Sequence, residues 1–146
     1  MTSGIYIDTS LLAAYYAPEP LSSTVQRRME SASSVAIGWL VRPEMASAMA
    51  KKRRRGELSA VQATRLLDRF DEHVGSGLYR LLPIRSDDHD RAYSWIRREA
   101  LNLPTLDALH LAVASRESLH VMTADRGMAE AASALELACE LVTPRD

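Results

Sequence analysis

Asp8, Glu44, Asp107 and Asp125 are the residues of this chain whose type and placement suggest chemistry. Asp8 follows the apolar run Ile5-Tyr6-Ile7, and Asp125 follows His120-Val121-Met122-Thr123, so each reads as the residue just past a short strand. Glu44 comes early in an apolar helical segment after Val35-Ala36-Ile37, with Pro43 suited to a first-turn position, and Asp107 opens the helix from Leu106 to Ser115. Taken singly, a strand-end Asp is usually a turn former, and a first-turn acid usually complements the helix dipole. Four acids at the same kind of topological edge shift the balance towards a site, because parallel strands gather their carboxyl ends along one crevice. Clustered carboxylates repel, and a hard cation such as Mg²⁺ is what a fold places between them. That makes the chain a candidate for a metal-dependent enzyme.

On this reading Asp8 and Asp107 are direct metal ligands, while Thr9, Ser10 and Thr123 hydrogen-bond the carboxylates or bound water. For Ser10, plain helix capping is an equal reading. No histidine lies near Ser10 in sequence, so a hydrolase triad has little support. His110 stands one helical turn after Asp107, and a satisfied packing histidine is favoured over a ligand or base. His73, His89 and His120 share no metal-ligand spacing, which excludes a zinc site of ordinary pattern. The one basic run, Lys51-Lys52-Arg53-Arg54-Arg55, reads equally as a holder of RNA phosphates and as a solvated helix end. Tyr15, Tyr16 and Trp39 are read as packing residues by default. Stacking on bases or a partner surface is the alternative, with the Tyr15-Tyr16 pair favoured as a contact surface.

The elements that must position these groups alternate in an α/β pattern. Strands are expected at Ile5–Ile7, Val35–Ile37, Leu81–Ile84 and Val121–Thr123, with Leu141-Val142 as a further edge. Helices are expected from Ser10 to Tyr16, ended by Pro18 and Pro20, and from Ser22 to Ser31. A third runs from about Val41 to Lys52. Ser59 and Gln62 form a capping box for a long helix with Leu66, Leu67, Phe70 and Val74 at helical spacing. Ser86 is expected to cap a helix with Ala92, Tyr93 and Ile96 inward, Thr105 to cap the next, and a last helix to run from Gly127 to about Leu137.

The totals bound the rest. A chain of 146 residues, 47% hydrophobic and 25% charged, reads as a single globular domain over 1–146. Its formal charge of −1 makes no case for nucleic-acid or membrane binding, so any such surface must be local. The lone Cys139 has no internal disulfide partner and suits a buried thiol in a reducing compartment. With no signal-peptide pattern and no apolar run of spanning length, a cytoplasmic protein is expected.

The acids and their neighbours carry a resemblance. The start Ile-Tyr-Ile-Asp8-Thr9-Ser10, the Glu44 helix, the run Leu103-Pro104-Thr105-Leu106-Asp107-Ala108-Leu109-His110-Leu111-Ala112 and the late Thr123-Ala124-Asp125-Arg126 together resemble PIN-domain ribonucleases of the VapC toxin type. The Lys/Arg run followed by Gly56-Glu57-Leu58-Ser59 resembles the family's joint between two helices. Arg42-Pro43 before Glu44 departs from the family's small or apolar residues and predicts a later helix start; Arg126-Gly127 after Asp125 softens another. The resemblance implies a PIN-like fold, with a parallel central sheet of four to five strands in an α/β/α sandwich. It also implies an acidic pocket binding Mg²⁺ or Mn²⁺, in which Glu44 and Asp125 are direct or water-mediated ligands. RNA cleavage, a cognate antitoxin and a homodimer complete the expectation. A haloacid-dehalogenase-like phosphatase would want a second Asp at position 10, and a receiver domain a late lysine, but no lysine follows Lys52. The alternative of another class is a non-catalytic PIN-like protein that binds RNA or a partner.

Overall fold

A computed structural model describes residues 4–144. Five parallel strands form one sheet in the order β3-β2-β1-β4-β5: β1 Ile5–Ile7, β2 Val35–Gly38, β3 Arg80–Leu82, β4 His120–Thr123 and β5 Cys139–Leu141. The chain builds outward from β1 through β2 to β3, then returns to the other side of β1 for β4 and β5. The reversal lies between β1 and β4, which places a switch-point crevice beside Asp8 and Asp125.

Strand pleating divides the core in two. Ile5, Ile7, Ile37 and Met122 face the layer of α1 (Thr9–Tyr16), α2 (Ser22–Ser31), α3 (Val41–Arg54) and α4 (Ala60–Gly75). Tyr6, Ala36, Leu82 and Val121 face the layer of α5 (Ser86–Ile96), α6 (Thr105–Arg116) and α7 (Arg126–Ala134). Short strands buried on both faces need no polar alternation, which is why Ile5-Tyr6-Ile7 reads as a continuous apolar run.

Several boundaries depart from expectation. β3 stops at Leu82 because Pro83 has no N–H for the ladder. α3 starts at Val41 despite Pro43, since a proline in the first turn lacks an N–H the helix does not use. Arg85 and Pro104, not Ser86 and Thr105, occupy the cap positions of α5 and α6. At α5 the buried Asp88 carboxylate accepts the Arg85 backbone N–H and pairs with Arg116, so Asp88 takes the inward place expected of Tyr93, which is 64% exposed. α7 begins at Arg126 with Asp125 as its cap and ends at Ala134. Tyr16 packs in the core, the default reading for it; its hydroxyl meets His73 Nδ1 at 2.6 Å and the Tyr79 hydroxyl at 2.5 Å, which removes it from the alternative Tyr15-Tyr16 contact surface. Cys139 is half-buried in β5, and burial pushes its thiol up to about 11, which makes it a poor nucleophile. No helix among the described residues is long and apolar enough to cross a membrane.

Candidate active site

All four acids stand at the amino end of a helix. Asp8 caps α1, with its side chain accepting the Leu11 N–H, and Asp125 caps α7, accepting that of Met128. Glu44 and Asp107 lie in the first turns of α3 and α6. Helices α1, α3 and α7 leave strands β1, β2 and β4 at their carboxyl ends, while α6 runs back to start there before β4. Four helix amino termini therefore turn their positive ends towards one edge of the sheet, which offsets part of the cost of placing carboxylates there.

Asp8 is 4% exposed and the most heavily bonded of the four. Ser10 Oγ donates to its Oδ1 at 2.7 Å and Thr123 Oγ1 to its Oδ2 at 2.5 Å. Both hydroxyls also accept, Ser10 from the Ala124 N–H across the switch point and Thr123 from the Asp125 N–H in the turn after β4. Burial pushes the Asp8 carboxyl above its ordinary value, and the bonds from Thr123, Ser10 and Leu11 only partly reverse this. Thr9 Oγ1 donates to Glu44 Oε1 at 2.8 Å. The three hydroxyl residues marked from sequence thus each bond one of the acids.

Asp107 differs. It accepts no hydrogen bond from any described residue, and it is only partly buried. Burial, followed by the charge of Asp125 and smaller contributions from Asp8 and Glu44, lifts its carboxyl to about 6, with His110 pulling the other way. Asp107 therefore stands near enough to the other three acids to feel their charge. Among the described residues, however, no three His, Cys, Asp or Glu side chains stand close enough to enclose an ion directly. The convergence read from sequence is thus an electrostatic one, looser than a ready-made cage. An all-oxygen donor set with a bare, repelled carboxylate at Asp107 fits a hard divalent cation held by a mixture of direct and water-mediated contacts.

His110 is 2% exposed, as a packing histidine should be. It is indeed a core residue, but it is also joined to the acids: Nδ1 lies 2.5 Å from the Tyr6 hydroxyl and Nε2 lies 2.6 Å from Glu44 Oε1. Burial alone would raise the Glu44 carboxyl, yet the bond and charge of His110 with the bond from Thr9 hold it below the usual range. Sequence reasoning missed this link. The available signal was Tyr6 itself, a phenol in mid-strand whose buried hydroxyl requires a partner.

The basic run lies away from the acids. Lys51–Arg54 form the last turn of α3 and Arg55 caps it, seven to eleven residues past Glu44 and so about 10–16 Å along the helix axis. Lys52 pairs with Glu19 and Glu57, while among the described residues the other four make no ion pair. Trp39, directly after β2, is 50% exposed near the acidic edge.

Residues 5–134 match the family described as PIN domain. Among solved structures, FitAcB from Neisseria gonorrhoeae superposes with a TM-score of 0.71 at 21% identity, over 92% of this chain and 95% of that one. VapC20 from Mycobacterium tuberculosis, a sarcin-ricin loop cleaving toxin, gives 0.65 at 20% identity over 87% and 94%. VapBC2 from Rickettsia felis, bound to a DNA fragment from its promoter, gives 0.65 at 12% identity over 96% and 99%. At these identities the likeness is one of fold. No curated protein matches the sequence.

Proposed function

The chain belongs to the PIN domain family, and from that premise we propose that it is a metal-dependent endoribonuclease, the toxin of a toxin–antitoxin pair acting in the cytoplasm. The observation that carries this reading is Asp107, a carboxyl without a hydrogen-bond donor, lifted to about 6 among Asp125, Asp8 and Glu44. Such an arrangement costs stability without returning any packing, which is typical of groups kept for function. The same-fold Mycobacterium protein, named as a sarcin-ricin loop cleaving toxin, supports RNA as the substrate class. A toxin–antitoxin complex from Klebsiella pneumoniae with the same fold, at a TM-score of 0.63, supports an antitoxin partner for a protein of this shape.

In this reading Asp8 and Asp107 hold Mg²⁺ or Mn²⁺ directly, and Glu44 and Asp125 act directly or through water. A bound divalent ion supplies charge for the phosphoryl oxygens and lowers the pKa of a coordinated water. The chain's own part is to orient. Ser10, Leu11 and Thr123 fix both oxygens of Asp8, Thr9 fixes Glu44, and the four helix amino termini add positive potential where the phosphate arrives. Trp39 offers an exposed ring on which an unpaired base can stack, and the α3 basic end can hold phosphates farther along the strand.

Incubating total RNA with the purified protein, with and without Mg²⁺ or Mn²⁺, and mapping the cut ends tests the proposal. Discrete metal-dependent cuts that disappear in Asp8→Asn are expected. RNA binding without cuts under any metal condition would favour a non-catalytic PIN protein.

A further inference from the structure

Glu44 is held in an unusual way. Both of its hydrogen bonds, from Thr9 Oγ1 and from His110 Nε2, end on Oε1, and no described residue donates to Oε2. The carboxylate is thus tethered by one oxygen and presents the other. The His110 tether continues inward: Nδ1 faces the Tyr6 hydroxyl, which in turn stands against Gly38 at the end of β2. The direction of the bond to Glu44 is fixed. A carboxylate can only accept, so Nε2 carries the proton. The Tyr6 hydroxyl, which can donate or accept, is the partner of the ring at Nδ1.

The path crosses the molecule. Tyr6 faces the α5-α6-α7 layer, His110 belongs to α6, and Glu44 belongs to α3 in the opposite layer. The imidazole therefore reaches past the carboxyl edge of the sheet to hold an acid on the far side. Gly38 completes it, because a Cβ there would stand 2.5 Å from the Tyr6 hydroxyl oxygen. A histidine kept only for packing has no need of a site acid as one partner and a glycine-dependent phenol as the other.

We propose that Tyr6 and His110 are positioning residues for Glu44, fixing Oε1 through the His110 Nε2–H so that Oε2 is the oxygen offered to the metal or its bound water. This rests on the acidic edge being a metal-dependent nuclease site.

The test uses paired substitutions on the full chain. Glutamine at 110 can retain a donor near the Nε2 position, whereas asparagine can reach only towards Tyr6. His110→Asn is expected to lower kcat and Mn²⁺ affinity by about 10–100-fold, the usual loss when a residue supporting a metal ligand is removed, with KM for RNA unchanged. His110→Gln should recover most of that loss, and Tyr6→Phe should show a smaller loss of the same kind. In the metal-free wild type, ¹⁵N NMR of the imidazoles should find His110 protonated at Nε2. Wild-type kcat and Mn²⁺ affinity in a folded His110→Asn, equal losses in the Gln and Asn variants, or an Nε2 without a proton would each overturn the proposal. Should His110→Asn fail to fold, Tyr6→Phe and His110→Gln decide: wild-type Mn²⁺ affinity in Tyr6→Phe overturns it. Asp107→Asn in the same assays separates the two levels. If that variant is dead and His110→Asn is normal, only the positioning role fails. A wild type that neither cleaves RNA nor binds Mn²⁺ overturns the nuclease reading and this inference with it.

Discussion

At the scale of single residues, Asp107 joins stability to chemistry. Its carboxyl rises from 3.8 to about 6 on folding, so the folded protein holds this proton more tightly than the unfolded chain does. Its contribution to stability is complete below about pH 4 and is lost as pH rises through about 6. At neutral pH without metal, ionised Asp107 therefore costs stability, on the order of 1–2 kcal/mol after allowing for its partial exposure. Asp107→Asn should raise the melting temperature in chelator at pH 7.5 by about 2–8 °C, an advantage that calorimetry should find shrinking towards pH 4. A variant no more stable than wild type at pH 7.5 would mean that Asp107 is not under repulsion. Asp8 and Asp107 were legible in the sequence because strand ends and helix starts leave local marks. The Tyr6–His110 bond was not, since it joins residues 104 apart and depends on which way one strand pleats.

Elements explain why the site can be read from short segments while its boundaries cannot. A helix start is marked by whichever residue can accept an N–H, and the buried Asp88 reaches back from inside α5 to do so, leaving Ser86 no capping role. The same buried charge interrupts the apolar pattern that had pointed to Tyr93. Asp125 caps α7 and also faces the acidic edge, and substitution can separate the two roles. Asp125→Asn keeps a capping oxygen, so stability should change by less than about 0.5 kcal/mol while cleavage falls; Asp125→Ala should additionally lose about 1 kcal/mol in denaturant unfolding. Equal cleavage in wild type and Asp125→Asn would leave this residue as a cap alone. At β2, Gly38→Ala should destabilise by about 1–3 kcal/mol, because the added methyl meets the Tyr6 hydroxyl oxygen. Gly38→Ala combined with Tyr6→Phe should recover part of that loss.

For the whole molecule, the order β3-β2-β1-β4-β5 brings four acids from distant parts of the chain to one edge of the sheet. The α/β class and the parallel sheet were legible because each strand is a brief apolar run between amphipathic helices. How closely the acids approach was not, because it depends on helix starts, caps and repulsion that act only in the folded state. Global charge is nearly balanced, so RNA affinity must come from local groups, and the exposed arginines at the end of α3 are the test. If they hold phosphates, neutralising Arg53, Arg54 and Arg55 should reduce the slope of log affinity against log salt by about 2–3. An unchanged slope assigns them to a solvated helix end. The most direct measurement is the rate of RNA cleavage across a Mn²⁺ titration, for wild type and Asp107→Asn in parallel. A wild-type rate that rises to saturation, vanishes in chelator and is absent from Asp107→Asn is predicted; cleavage that persists in chelator, or in the variant, would contradict it.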